Sequence, residues 1–193
     1  MSIYPDASII NLLRLDALRD KPLTMGCARR FRLQHISDRS HSDNKNAWME
    51  ALVEFTLPQE YCIELPTINP SLYHKPYRFA YGITRVDNGS YHSWADAIVK
   101  LDMSSAAAGT ADHKIWHSQK DAPSEPIFVP RPGKGGREED DGVLLSVVLD
   151  VEEGRSALVV LDAKDMKEVG RAEMETVFPI GFHGFWSGKS ARL

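Results

Sequence analysis

EEDDGVLLSVVLDV (Glu138–Val151) and LVVLDAKDMKEVGRAEM (Leu158–Met174) decide the fold class. Each sets a run of branched apolar residues beside a polar stretch able to turn the chain. That is the pattern of a β-meander, with no sustained 3.6-residue period. Working outward, further candidate strands are Ile9–Leu15, Cys27–Leu33, Leu52–Leu57, Tyr77–Ile83, Ala97–Leu101 and Ile127–Pro130. Within the two quoted stretches the candidates are Val143–Val151, Ala157–Leu161 and Glu168–Met174. Leu12–Leu18 alone has the spacing of a brief helical turn. The chain is expected to be all-β.

A weak repeat narrows the architecture. Leu15-Asp16-Ala17, Leu101-Asp102-Met103 and Leu161-Asp162-Ala163 each close an apolar run with a leucine, an aspartate and a third residue, before a polar turn. An aspartate there can accept a hydrogen bond from the backbone two residues on and start the turn, so its expected role is local. Repeated hairpins of this kind favour propeller blades over a sandwich. Blades of roughly 40–45 residues would give about four here, and the long loops reduce that to two or three. Asp38–Asn46, Ser104–Asp112 and Arg131–Asp141 read as exposed loops, and Asn88-Gly89 as a tight hairpin turn. The contiguous acids Glu138–Asp141 lack the alternating ligand spacing of a calcium loop and read as a solvated turn.

Composition bounds the partners. With 193 residues, 42% of them hydrophobic and 26% charged, the chain is that of an ordinary globular protein. A net charge of −4 gives no general attraction for nucleic acid or anionic lipid. Arg29, Arg30 and Arg32 fit the exposed side of a strand. Cys27 and Cys62 have no metal-finger spacing and are expected to be two buried free thiols. No apolar run reaches the ~18–20 residues of a membrane helix, and the N-terminus lacks the features of a signal peptide. A cytoplasmic location is expected.

Seven histidines are the candidate metal ligands: His35, His41, His74, His92, His113, His117 and His183. Lys114-Ile115-Trp116 alternates like a strand, which would separate His113 from His117 by ~13 Å and rule out a shared ion. His183 differs because Gly181 and Gly184 flank it and Phe182, Phe185 and Trp186 offer an apolar wall against water. Glu64 and Glu125 lie just before prolines in extended segments, where a solvated side chain is the ordinary expectation.

PSEPIFVPRPG (Pro123–Gly133), the two opening stretches and PIGFHGFW (Pro179–Trp186), in that order, closely resemble the C-terminal end of the carotenoid cleavage oxygenases, a family of non-haem iron enzymes. IELPTINP (Ile63–Pro70), KPYRFAYGI (Lys75–Ile83), ADAIVKLD (Ala95–Asp102), GCARRFRL (Gly26–Leu33) and SIYPDASIINLLRLDALR (Ser2–Arg19) extend the likeness over nearly the whole chain. The resemblance implies that residues 1–193 form the C-terminal blades of an incomplete seven-bladed β-propeller, with the N-terminal blades missing.

It also implies a site. Fe(II) would be held by four neutral histidines, of which His183 is the last. Glu64 and Glu125 would accept hydrogen bonds from iron-bound imidazoles and fix their tautomer and orientation. A Glu125–His183 bond of about 2.7–3.2 Å is expected. The implied reaction is cleavage of a conjugated carbon–carbon double bond by O2 to two carbonyl products, with a lipophilic polyene or a stilbenoid as substrate. None of the six other histidines stands in a ligand motif of the family, so the chain alone is expected to be inactive. The rival reading is a non-catalytic β-domain acting as a binding module. Membrane contact stays open.

Overall fold

The run Gly142–Asp150 becomes the longest strand of the molecule because its alternation gives it two unlike faces. Gly142, Leu144, Ser146, Val148 and Asp150 are buried, while Val143, Leu145, Val147 and Leu149 stay half-buried. This computed structural model describes residues 26–33, 50–86, 95–133, 138–150 and 152–188. Among them the strands are β1 (Arg29–Arg32), β2 (Leu52–Thr56), β3 (Glu64–Thr67), β4 (Phe79–Thr84), β5 (Ala97–Asp102) and β6 (Asp112–His117). They continue with β7 (Asp121–Pro123), β8 (Ile127–Pro130), β9 (Gly142–Asp150), β10 (Arg155–Asp162) and β11 (Glu168–Met174).

All recorded pairings are antiparallel, in three sheets. A two-stranded ribbon joins β1 to β2, and a four-stranded meander runs β3-β4-β5-β6. The third sheet runs β11-β10-β9, with β7 and β8 lying end to end along the free side of β9. It is therefore a second four-stranded meander whose first strand is broken at Ser124-Glu125-Pro126. Two consecutive four-stranded meanders are the blade pattern of a propeller. The opening candidate strand Ile9–Leu15, the helical turn Leu12–Leu18, the loop Asp38–Asn46 and the Asn88-Gly89 turn lie outside the described residues, as do His35, His41 and His92.

The middle sheet is covered on both faces. Tyr81, Ile98 and Trp116 pack with Phe128, Leu144, Val148, Val159, Leu161 and Met166 of the third sheet. On the other side Leu57, Ile63, Ala80, Val99 and Leu101 form a second core with Phe55 and Ala28 of the ribbon region. Each such large side chain contributes roughly 1.5–3 kcal/mol by leaving water. Ser104–Asp112 is largely exposed, as expected, except that Ala106 and Ala111 join that second core. A 3-10 helix over Met103–Ala108, ended by Gly109 at φ +79°, turns Ala106 inward and leaves its other small side chains exposed.

The acids of Glu138–Asp141 also depart from the solvated turn expected of them. Glu139 accepts the backbone N–H groups of Arg78 (2.8 Å) and Phe79 (2.7 Å) at the start of β4. Asp140 is buried and pairs with buried Lys100 at 2.6 Å. The Lys100 ammonium also donates to the carbonyls of Ala163 (2.9 Å) and Lys164 (3.2 Å), and sits 4.1 Å over the Phe79 ring. One charged cluster thus stitches the two four-stranded sheets together. Burial, reinforced by Asp140, raises the pKa of the neighbouring Tyr81 phenol and keeps it protonated.

The repeated aspartates behave as their sequence context suggests. Asp102 accepts the backbone N–H of Ser104 (3.0 Å), and Asp162 those of Lys164 (2.8 Å) and Asp165 (3.1 Å). Asp16 lies outside the described residues. Arg78 forks onto Asp102, and the hydrogen bond between them holds the carboxyl pKa down at about 2.

Candidate functional site

After β11 the chain leaves the ladder and crosses the third sheet as an irregular tail. Three side chains fasten it at every third residue. Ser156 Oγ accepts the Phe178 N–H at 2.8 Å and donates to the Phe178 carbonyl at 3.2 Å. Ser124 Oγ accepts the Gly181 N–H at 2.9 Å, and Glu125 Oε2 the Gly184 N–H at 3.0 Å. Ser146 supports this arrangement from β9 by donating to the Ser124 carbonyl at 2.8 Å. Since Ser156 belongs to β10 and Glu125 to the β7/β8 break, the tail passes across β9 toward the broken edge.

This path delivers His183 to Glu125. The imidazole Nδ1 lies 3.5 Å from Glu125 Oε1, longer than the expected hydrogen bond. Glu125 is nearly buried while the imidazole is 79% exposed. One carboxylate therefore takes a backbone amide on one oxygen and faces the ring on the other. Gly184 permits the approach: a Cβ there would fall 2.8 Å from Ile127 Cδ1. The aromatic wall expected around His183 is not closed, because Phe182, Phe185 and Trp186 are all exposed, Phe185 at 84%.

Glu64 sits at the corresponding place one blade earlier. It begins β3, the first strand of the middle sheet, which loses register between Glu64 and Thr67. Its Oε1 accepts the Gly26 N–H at 2.8 Å, as Glu125 accepts that of Gly184. Leu65 between them adopts φ +48°, a left-handed conformation costly for a leucine and doubly so before a proline. Both glutamates thus occupy breaks in the first strand of a blade, each bonded to a glycine amide. Glu64 and His183 are not brought together by any hydrogen bond or ion pair recorded among the described residues.

Other sequence candidates fall away. His113 and His117 share β6; His113 meets the Tyr61 ring edge-on at 5.8 Å, and His117 lies 3.6 Å from Asp96. His74 stands in a turn at φ +65°. No group of three or more His, Cys, Asp or Glu side chains among the described residues is close enough to hold a metal ion. The serines that fasten the tail were missed from sequence, although Ser146 inside VLLSVV and Ser156 inside RSALVV were visible signals. A hydroxyl in so apolar a strand needs a partner.

Comparison with known proteins gives these features a context. The family described as retinal pigment epithelial membrane protein (RPE65) matches residues 2–188. A carotenoid dioxygenase of Neurospora crassa is 45% identical over 130 residues, covering 67% of this chain and 20% of its own. The mitochondrial carotenoid-cleaving dioxygenase of Homo sapiens is 39% identical over 137 residues (70% of this chain, 22% of its own). Torulene dioxygenase of Fusarium fujikuroi is 39% identical over 129 residues (66% and 21%). Among solved structures, cobalt-substituted Synechocystis ACO superposes with a TM-score of 0.61 at 29% identity, covering 86% of this chain and 31% of that one. An ACO/RPE65 chimera gives a TM-score of 0.60 at 28% identity (84% and 30%). The chain spans about a fifth of the length of these curated relatives.

Proposed function

The chain belongs to the retinal pigment epithelial membrane protein (RPE65) family of carotenoid oxygenases, and from that premise we propose that it supplies one corner of an Fe(II) site in a dioxygenase. That enzyme splits a conjugated carbon–carbon double bond of a carotenoid or apocarotenoid with O2, giving two carbonyl products. The observation that carries the reading is Glu125 facing His183 Nδ1 while also gripping the Gly184 amide. A carboxylate on Nδ1 favours the Nδ1–H tautomer and leaves Nε2 as the basic, metal-seeking nitrogen.

The donor chemistry fits iron in kind and falls short in number. One imidazole with its carboxylate is a single corner, and no further ligand joins it among the described residues. No reaction step is therefore assigned to this chain's side chains; their part is to orient a ring. Glu64, in the same setting against Gly26, is proposed to orient another imidazole of the complete fold. The relatives named for carotenoid and torulene substrates support a polyene over a stilbenoid.

The decisive experiment grafts this chain in place of the matching segment of the Synechocystis apocarotenoid oxygenase and measures apocarotenoid cleavage and iron content. Cleavage is expected, with loss of both iron and activity in His183→Ala and a fall of roughly 10–100-fold in Glu125→Gln. A folded, iron-replete graft indifferent to His183→Ala would overturn the assignment. A folded graft that neither holds iron nor turns over would favour the non-catalytic β-domain. Alone, the chain should bind Fe(II) no better than its His183→Ala variant.

A further inference from the structure

The middle sheet and the β1–β2 ribbon meet at a point the proposed chemistry does not use. There Cys27 and Cys62, the chain's only cysteines, stand directly opposite each other across an antiparallel bridge. Residues so paired have Cα atoms ~4.5–5.5 Å apart and side chains on one face. That separation lies inside the ~4.4–6.8 Å window of a disulfide. The two thiols differ in access: Cys27 is exposed, whereas Cys62 is buried with its sulfur 2.9 Å from Thr84 Oγ1. Both had been expected to be buried. The bridge is one residue from Gly26, whose N–H binds Glu64, and next to Ala28, whose carbonyl accepts the Leu57 N–H at 2.9 Å.

We propose that Cys27 and Cys62 form a peroxide-driven intramolecular disulfide that ties the β1–β2 ribbon to the middle sheet. Cys27, the reachable thiol, attacks the peroxide O–O bond as thiolate; an S–O bond forms, the O–O bond breaks and water leaves. Cys62 then turns from Thr84, attacks the Cys27 sulfur and expels the second water. Two thiols lose two electrons and two protons, and one hydrogen peroxide becomes two water molecules. With no third cysteine in the chain, no other internal pairing competes. The inference stands independently of whether the chain takes part in oxygenation.

The test treats the full chain with hydrogen peroxide at low protein concentration and follows intact mass and non-reducing peptide maps. Expected is a loss of about 2 Da, reversed by dithiothreitol, with Cys27 and Cys62 peptides joined. Formation should be at least about tenfold faster in the native protein than in guanidinium, because the bridge holds the two cysteines opposite each other. Cys27→Ser, an exposed substitution with little bearing on folding, should abolish the mass loss and leave Cys62 unmodified. The oxidised form should melt higher than the reduced one. Addition of oxygen atoms to Cys27 without cross-linking would overturn the proposal. So would equal rates in native and denatured protein, or an unchanged or lowered melting point.

Discussion

Two regions of the third sheet are held by opposite means. Its inner face is sealed against the middle sheet by an apolar core, with Tyr81 against Phe128 at 5.6 Å between rings, and by charge: buried Lys100 on buried Asp140, and half-buried Glu139 on the amides of Arg78 and Phe79. Its outer face carries the tail with His183, fastened by hydrogen bonds to Ser156, Ser124 and Glu125, with the tail's aromatic rings left exposed. The contrast separates stability from chemistry. The inner seam sets whether the sheets stay together, while the outer ties set where one imidazole points.

The strongest break in that comparison is at Lys100. Lys100→Ala leaves the buried Asp140 carboxylate without its partner and should cost about 3–5 kcal/mol in urea unfolding. Pairing Lys100→Met with Asp140→Leu should recover most of the loss, because two buried charges then vanish together. Glu139→Ala leaves the Arg78 and Phe79 amides without their acceptor and should cost about 1–3 kcal/mol by the same measurement.

On the outer side the expected effects are smaller and differently located. Ser156→Ala should lower global stability by only about 1 kcal/mol yet clearly speed amide exchange at Phe178. If Ser156→Ala instead lowers stability as much as Lys100→Ala, the two regions are one cooperative unit and the contrast fails. The smallest effect concerns pH. Asp102 has a folded pKa of about 2, below its ordinary value, so its stabilisation is complete above about pH 4 and is lost as pH falls toward 2. Arg78→Met should flatten that part of an acid-unfolding profile, because Arg78 supplies the largest cause of the shift.

The strands legible in the sequence were those whose residues reported their own burial. Ile127–Pro130 and Glu168–Met174 match β8 and β11 end for end. β9 and β10 begin one and two residues before the candidates drawn from their apolar cores. β3 and β7 were not separable as strands, being short and rich in proline, with pairing partners distant in sequence. β6 was seen only at Lys114-Ile115-Trp116, since its other residues are polar and its register comes from β5. At the site, His183, Glu64 and Glu125 stood out through the family likeness; composition alone would have left them solvated. The inward roles of Glu139 and Asp140 were hidden because a run of acids looks alike whether it faces water or a lysine on another sheet.

The spacing of the tail ties has a consequence for how this segment tolerates change. Phe178, Gly181 and Gly184 meet their partners at a constant interval of three. Two of the three ties use only the backbone amide of a glycine, and the third uses the amide and carbonyl of Phe178. The segment therefore works as a counting rule in which length is read and lettering, Gly184 apart, largely ignored. Replacing Ile180 or Phe182 with another residue leaves the count intact. Deleting a single residue between Phe178 and Gly184 breaks it, and moves the imidazole out of line with Glu125 while the sheet beneath stays folded.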